Sequence, residues 1–209
     1  MRRIRIKTLV LGMVQNNCYI VGKPDSNEAV VIDPGDNADK IYKYLSENDL
    51  ECKAILLTHG HFDHITAAPE LNRLTNAPIY AHEAEADILK DPEINASAYM
   101  GERISVRPDI SVKDNEELKI AGLSWNVLYT PGHTAGGVCY YLKEHKIVFS
   151  GDTLFYESVG RTDFPTGNHK VLIESIPNKL MILPDDTEVY PGHGRPTTIG
   201  HEKGNNPYL

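Results

Sequence analysis

The chain has 209 residues, of which 41% are hydrophobic, enough to bury a substantial core. Its 29 acidic and 21 basic residues give a formal charge of −8, which argues against a nucleic-acid partner. No secretory-signal core and no apolar run of about 18 residues follows the basic start, so we expect a cytoplasmic protein without membrane contact.

The first half alternates predicted strands and helices. Asn37 is a predicted N-cap, because Ile41, Tyr44 and Leu45 recur behind it at helical spacing. Such alternation is typical of an α/β layered domain. The predicted strands cover 4–14, 17–22 (after a turn at 15–16), 29–32, 54–57 and 78–81, and the later helices cover about 65–75 and 83–90.

An irregular excursion over 91–117 follows, which forms either part of a substrate cleft or a surface loop. Because no linker or low-complexity tract interrupts the chain, we expect one domain over 1–209, made of two similar halves at 1–115 and 116–209. The predicted elements of the second half are strands over 118–120, 123–129, 138–142 and 146–150, a helix over about 169–182 and a closing strand near 187–190.

Three widely spaced cysteines, Cys18, Cys52 and Cys139, show neither disulfide nor CxxC metal spacing. We expect them to be small buried thiols on strands.

Residues 58–64 read Thr-His-Gly-His-Phe-Asp-His, directly after the apolar strand. His59 and His61 are two positions apart, so an extended backbone points both side chains the same way. Asp63 and His64 are adjacent and can serve a second ion nearby. Two histidines do not complete a four-coordinate site, so the remaining ligands must come from elsewhere.

Three later strands each end in a small residue followed by a residue type that binds metals. These are His133 in Thr-Pro-Gly-His-Thr, Asp152 in Gly-Asp-Thr and His193 in Pro-Gly-His-Gly. Taken singly, each is most simply a structural residue. Because strand ends converge on one edge of a sheet, the four segments together favour a metal site.

Residues 58–64 match the HxHxDH signature of the metallo-β-lactamase superfamily, and His133, Asp152 and His193 match its remaining ligand positions in order. Asp33-Pro34-Gly35 resembles the earliest motif, whose carboxylate supports the metal loop. The resemblance covers nearly the whole chain. It implies an α/β (α+β) fold, a four-layer αββα sandwich of two mixed β-sheets with helices on the outer faces.

Within the superfamily the chain most resembles the short, single-domain glyoxalase II-like (hydroxyacylglutathione hydrolase-like) hydrolases. The shared stretches are Thr-Pro-Gly-His-Thr, Ser-Gly-Asp-Thr-Leu-Phe, Gly-Arg-Thr-Asp at 160–163 and the final Asn-Pro-Tyr-Leu. The resemblance implies hydrolysis of a 2-hydroxyacyl thioester such as S-lactoylglutathione by a hydroxide that bridges two metals. We expect the extra helical region with which full-length glyoxalase II enzymes grip glutathione to be absent, which leaves the identity of the carrier thiol open.

The same resemblance implies a ligand set for two divalent ions. His59, His61 and His133 hold one ion, Asp63, His64 and His193 hold the other, and Asp152 bridges both. Asp63 and Asp152 are the expected catalytic residues, with Asp63 orienting the attacking water. Nitrogen and oxygen donors favour zinc, with iron or manganese as alternatives.

Arg161 matches the position where glyoxalase II enzymes carry a basic residue against the thiol carrier's carboxylate. Its alternative role is a salt bridge with Asp163. We expect a small-molecule thioester as the substrate and a monomer or small homo-oligomer.

A rival reading is a persulfide dioxygenase on the same fold, which uses one iron held by residues matching His59, His133 and Asp152 and shares the stretch at 160–164. A β-lactamase is disfavoured, because the exported resistance enzymes usually lack a residue like Asp152. The outlying side chains have open or ordinary roles. His169 lines the site entrance, caps a helix or is exposed; Tyr99 and Met100 are candidate pocket residues; His82, His145 and His201 are structural or exposed.

Overall fold

The computed structural model describes residues 4–209; Met1, Arg2 and Arg3, which belong to the predicted basic start and domain, lie outside the described residues. The first part of the chain forms one mixed sheet and its helices. Its strands are β1 (Arg5–Leu11), β2 (Asn16–Gly22), β3 (Glu28–Ile32), β4 (Glu51–Leu56), β5 (Ile79–His82) and β6 (Ile110–Val112). Its helices are α1 (Ala38–Glu47), α2 (Phe62–Ile65), α3 (Ala68–Thr75) and α4 (Ala86–Lys90).

The second part forms another mixed sheet and a small hairpin. Its strands are β7 (Glu117–Ile120), β8 (Leu123–Tyr129), β9 (Val138–Leu142), β10 (Ile147–Gly151), β11 (Leu154–Phe155), β12 (Ser158–Val159), β13 (Glu188–Pro191) and β14 (Thr197–Thr198). Its helices are α5 (His169–Lys179) and α6 (Ile199–Asn205).

The strand order places the ends of several strands at one edge. The first sheet runs β1-β2-β3-β4-β5-β6, antiparallel up to β3 and parallel from β3 to β6. The second runs β14-β13-β10-β9-β8-β7. Strands β8 and β10 are both antiparallel to β9, and β13 is parallel to β10, so these three strands end at the same edge.

The alternation of side chains along the strands builds the layers. Tyr19 and Val21 of β2 face the second sheet, in a middle core that includes Trp125, Tyr140 and Phe149. The intervening β2 residues, Cys18 and Ile20, pack in a second cluster with residues of α1 and α3. The outer face of the second sheet packs on Leu172, Ile176 and Leu180 in and after α5. The predicted αββα sandwich of mixed sheets is therefore confirmed.

We propose that the chain forms the single domain predicted over 1–209, because both sheets contribute to this one middle core. The change from first to second sheet falls between β6 and β7, close to the predicted division of the halves. The three cysteines are buried on β2, β4 and β9 as free thiols, as predicted.

Several boundaries differ from the prediction. The first strand ends at Leu11, and residues 12–15 form the turn. The helix predicted over 65–75 is two helices, broken where the Ala67 N–H donates to the Pro34 carbonyl at 3.0 Å. Asn168 caps α5, which begins at His169 and ends at Lys179 with Pro177 inside it.

The excursion over 91–117 is more ordered than its sequence indicates. It contains a 3₁₀ turn (Ser97–Met100), all of β6 and the start of β7 at Glu117. Val106 and Val112 are buried in the cores, and Ala96 reaches the cleft described below. The description as a plain surface loop is therefore wrong. Among residues 4–209, no helix has the length and apolar character needed to cross a membrane.

Candidate metal centre

The predicted ligands meet where β4, β8, β10 and β13 end. Residues 58–64 follow β4, and the Thr58 carbonyl accepts the Val138 N–H at 2.9 Å, which joins this loop to the second sheet. His61 is extended, with φ −69° and ψ 148°, and Asp63 and His64 lie in the first turn of α2. His133, Asp152 and His193 come from the other three strand ends. All seven predicted ligand side chains are brought together.

Three histidine nitrogens form one compact group. The His133 Nε2 atom lies 3.2 Å from His59 Nε2 and 2.9 Å from His61 Nδ1. Nitrogens held about 2.0–2.1 Å from a tetrahedral zinc ion are roughly 3.3 Å apart, so the spacing fits such a centre. His59, His61 and His133 are 2%, 4% and 4% exposed, so this trihistidine group is almost completely buried.

A second group faces the first. Asp63 Oδ2 lies 3.1 Å from His193 Nε2 and 3.5 Å from His64 Nε2. Asp152 lies between the groups, with Oδ1 3.4 Å from His64 Nε2 and Oδ2 3.7 Å from His133 Nε2 and 3.6 Å from His193 Nε2. One carboxylate therefore reaches both groups.

Hydrogen bonds fix the outward nitrogens of these rings. His59 Nδ1 is 3.1 Å from the Thr58 hydroxyl oxygen, His133 Nδ1 is 2.7 Å from the Arg161 carbonyl and His193 Nδ1 is 3.1 Å from the Val14 carbonyl. Partners of this kind orient metal-binding imidazoles and select the tautomer. The inward nitrogens are thereby left for another partner.

Asp33 supports the loop, in agreement with its expected role. Its carboxylate accepts the Thr58 N–H at 2.7 Å and the Thr58 hydroxyl at 2.6 Å, and Oδ2 lies 2.9 Å from His64 Nδ1. These contacts occupy the Asp33 oxygens and the outward nitrogen of His64. Asp33 therefore orients His64 and the loop at Thr58 without facing the centre itself.

Residues at the start of β2 hold the loop that carries His193, and no sequence pattern pointed to them. The Asn17 side chain donates to the carbonyls of Pro191 and Gly194 at 3.0 and 2.9 Å, and the Tyr19 hydroxyl donates to Pro191 at 2.6 Å. Gly192 lies so close to Asp152 and His64 that a Cβ atom would collide with both side chains.

The residues fit a pair of divalent ions. His64 Nε2 and Asp152 Oδ1 are buried and have no hydrogen-bond partner among the described residues, although they face each other across the centre. Buried polar atoms are rarely left without a partner. An imidazole nitrogen and a carboxylate oxygen are both ligands that zinc and iron accept.

The electrostatics fit as well. Burial, assisted by His133, lowers the pKa of His61 to about 3, so this imidazole stays neutral and able to bind a metal. Burial acts against a charge on His64, but Asp63, Asp152 and Asp33 outweigh it and raise the pKa of this residue. The carboxylates thus favour positive charge at the second group.

A cleft of about 430 Å³ opens onto the centre. Its walls are mainly apolar and include Val14, Phe62, Phe155, Val159 and Phe164. Met100 lines a smaller neighbouring cavity of about 140 Å³, whereas Tyr99 is 76% exposed. The excursion therefore reaches this region through Met100 and Ala96.

Arg161 also lines the cleft. Its guanidinium donates two hydrogen bonds of 2.7 Å to Asp163, the alternative partner considered from the sequence, and lies 4.1 Å from the Phe164 ring centre.

The metallo-beta-lactamase superfamily model matches residues 11–193, which span both ligand groups. The chain belongs to this superfamily.

Its relatives in the metallo-beta-lactamase superfamily include hydrolases. The chain is 38% identical over 205 residues to a probable metallo-hydrolase, YqgX, of Bacillus subtilis, covering 97% of this chain and 96% of the relative. It is 37% identical over 209 residues to the hydroxyacylglutathione hydrolase GloC of Haemophilus influenzae, covering 99% and 98%. The superfamily and the His/Asp groups support a hydrolase that depends on divalent metal ions.

Solved structures agree in fold. The BLEG-1 B3 metallo-beta-lactamase has a TM-score of 0.93 and 41% identity, covering 98% of this chain and 99% of that one. TTHA1623 in a di-iron-bound form has a TM-score of 0.87 and 37% identity, covering 97% of this chain and 100% of that one. ETHE1 from Myxococcus xanthus has a TM-score of 0.82 and 32% identity, covering 97% of this chain and 83% of that one.

Proposed function

We propose that the protein hydrolyses a thioester, with a 2-hydroxyacyl thioester such as S-lactoylglutathione as the leading substrate. The observation that carries the proposal is the convergence of two ligand groups on one carboxylate, Asp152, at the mouth of an apolar cleft. The similarity to a hydroxyacylglutathione hydrolase over nearly the whole chain supports the substrate class.

We assign the trihistidine group to one ion and Asp63, His64 and His193 to the other, with Asp152 contributing to both. Zinc is the leading metal for these donors, and the di-iron form of TTHA1623 makes iron the first alternative. Two divalent ions held there would polarise the substrate carbonyl and lower the pKa of water toward about 7.

The protein's own residues supply the rest of the chemistry. Asp63 lines the cleft, and we assign it to accept a hydrogen bond from the attacking water. Phe155, Val159 and Phe164 exclude bulk water around the acyl group, which strengthens the electrostatic interactions there. A thiolate is a good leaving group, so cleavage of a thioester needs little acid assistance.

Arg161 is the proposed contact for a carboxylate on the thiol carrier. The two hydrogen bonds to Asp163 use Nε and Nη2. A guanidinium has five N–H donors, so others remain for a substrate. The Asp163 pair and the Phe164 ring fix the direction of the side chain at the cleft wall.

The second candidate is the single-iron persulfide dioxygenase. It is favoured by the contact between His133 and Asp152, two of its three expected ligands, and ETHE1 is among the similar structures. The second ligand group, which a single-iron centre does not require, favours the hydrolase.

Metal analysis with parallel assays tests the proposal. Protein loaded with zinc or iron is given S-lactoylglutathione, other acyl thioesters, a β-lactam and glutathione persulfide. We expect two ions per chain and release of free thiol from a thioester. One iron per chain with oxygen uptake on the persulfide, or hydrolysis of the β-lactam alone, would contradict it.

A further inference from the structure

Glu85 is a buried carboxyl group outside both ligand groups, only 1% exposed. It closes the 3₁₀ turn Glu83–Glu85, immediately before α4. Each of its oxygens accepts one backbone N–H: Gly60 donates to Oε1 at 2.8 Å and Gly136 donates to Oε2 at 2.6 Å. Two distant segments of the chain therefore meet on one side chain.

The two donors belong to the loops that carry the trihistidine group. Gly60 lies between His59 and His61, and Gly136 lies three residues after His133. Both loops lie directly against this turn and α4. A Cβ atom at Gly136 would collide with the Glu85 carboxylate and backbone, and one at Gly60 would come within 2.8 Å of the Ile88 side chain.

A carboxyl group in this position is costly to the fold. Burial raises the pKa of Glu85 to about 7, against the lowering effects of the Thr134 hydroxyl and of the Gly60 and Gly136 N–H groups. Buried charge weakens a domain unless it is well paired. Stability alone would favour an apolar residue here, and residues that work against stability concentrate at functional sites.

We propose that Glu85 is a positioning residue for the first metal ion: its carboxyl group joins the Gly60 and Gly136 amides so that His59, His61 and His133 converge before the ion binds. This inference rests on the assignment of the trihistidine group in the proposed function. It does not depend on which substrate is hydrolysed.

The test is to measure how tightly the trihistidine group binds a metal ion in Glu85→Gln. The amide has the same shape, but its NH₂ group faces one of the two backbone donors instead of accepting from it. The measurement is made in a His193→Ala background, in which the second ligand group has lost one ligand and only the trihistidine group keeps all of its own. Metal-depleted protein is titrated with Co²⁺ and followed by visible absorption. We expect the dissociation constant for Co²⁺ to rise about 10- to 100-fold, the usual effect of losing a hydrogen-bonding group that orients metal ligands.

Glu202→Gln is the matched control. Glu202 is 0% exposed and accepts N–H groups of Glu157 and Asn206 at 2.9 and 2.8 Å, neither of which belongs to the two loops that carry the trihistidine group. We expect this substitution to leave the Co²⁺ affinity unchanged even where it lowers the melting temperature. Equal loss of affinity in both variants, or none in Glu85→Gln, would overturn the proposal.

Amide hydrogen exchange of metal-depleted wild-type protein gives a second measurement that needs no variant to fold. We expect the Gly60 and Gly136 amides to be protected without an ion. Exchange at the rate of an unstructured peptide would overturn the proposal. If the wild-type protein binds no metal at all, the assignment of the centre fails instead, so the two failures are distinguishable.

Discussion

Arg161 interacts through both its backbone and its side chain. The carbonyl is 2.7 Å from His133 Nδ1, and the guanidinium is paired with Asp163 at the cleft. Arg161→Ala keeps the carbonyl and removes only the guanidinium. We therefore expect an unchanged metal content and a higher KM for a thioester whose carrier bears a carboxylate. A charge-assisted hydrogen bond contributes about 1.5–3 kcal/mol, or roughly 10- to 100-fold in KM.

Asp163→Ala separates this role from a purely structural salt bridge. It leaves the Arg161 guanidinium on the Phe164 ring and frees its donors, so KM should rise by less than in Arg161→Ala. Steady-state kinetics on the two variants give the comparison. A similar rise in KM in both would mean that the pair, and not contact between Arg161 and the substrate, matters.

We also expect the buried Glu85 carboxyl group to contribute to the pH dependence of stability. Its pKa rises from 4.5 to about 7 in the folded protein, so between these values the folded state holds a proton that the unfolded state has released. Stability due to this group is therefore present below about pH 4.5 and is lost as the pH rises toward 7. The gap corresponds to roughly 3 kcal/mol.

Denaturant unfolding of metal-depleted wild-type protein and Glu85→Gln at several pH values checks this sign. We expect the wild-type protein to lose stability relative to the glutamine variant as the pH rises from 5 to 8. A difference that is independent of pH would show that Glu85 does not titrate in this range.

At the scale of elements, β2 secures the loop that carries His193. Tyr19→Phe keeps the ring packed on Phe149 and removes the hydroxyl that donates to Pro191. The Pro191 carbonyl retains its bond from Asn17, so we expect a loss of only about 1 kcal/mol of unfolding free energy. We also expect weaker binding of the second ion, measured by competition with a chelator.

Tyr141→Phe is the control for that change. Tyr141 is buried in the outer core of the second sheet, and its hydroxyl has no hydrogen-bond partner among residues 4–209. Removing it should alter neither stability nor metal binding. If Tyr19→Phe also leaves the second ion unaffected, β2 supports the fold without positioning His193.

The elements themselves were largely predictable, because apolar periodicity and strand-end turns are local signals. The break between α2 and α3 was not, since it depends on the contact of Ala67 with Pro34, far away in sequence. The anchors Asn17 and Tyr19 were missed for the same reason. Both act on residues more than 170 positions later, so their role depends on the assembled sheets.

At the scale of the whole molecule, the metal centre joins the two sheets. Four of the assigned ligands follow β4 of the first sheet, and three follow strands of the second. Chelation should therefore destabilise the whole domain in a single transition. A ligand present at a thousand times its dissociation constant contributes about 4 kcal/mol. Calorimetry with a chelator and with zinc restored checks this, and two separate transitions would contradict the single-domain proposal.

The proposed ligand set followed from the superfamily resemblance, and its members were easy to single out because each lies in a short turn at the end of a strand. The four-layer arrangement followed from the superfamily resemblance, since strand periodicity alone does not fix how two sheets pack. Glu85 had no local signal: its partners, Gly60 and Gly136, are 25 and 51 positions away. Only the folded chain brings them together.

The most direct measurement of the central claim is the number of divalent ions per chain in wild-type protein and in Asp152→Ala, by elemental analysis after metal loading. Asp152 faces both ligand groups, so we expect about two ions in the wild-type protein, loss from both positions in the variant and a fall in thioester turnover by orders of magnitude. Asp186→Ala, at an exposed carboxylate, should keep both ions. Two tightly held ions and full turnover in Asp152→Ala would contradict the account.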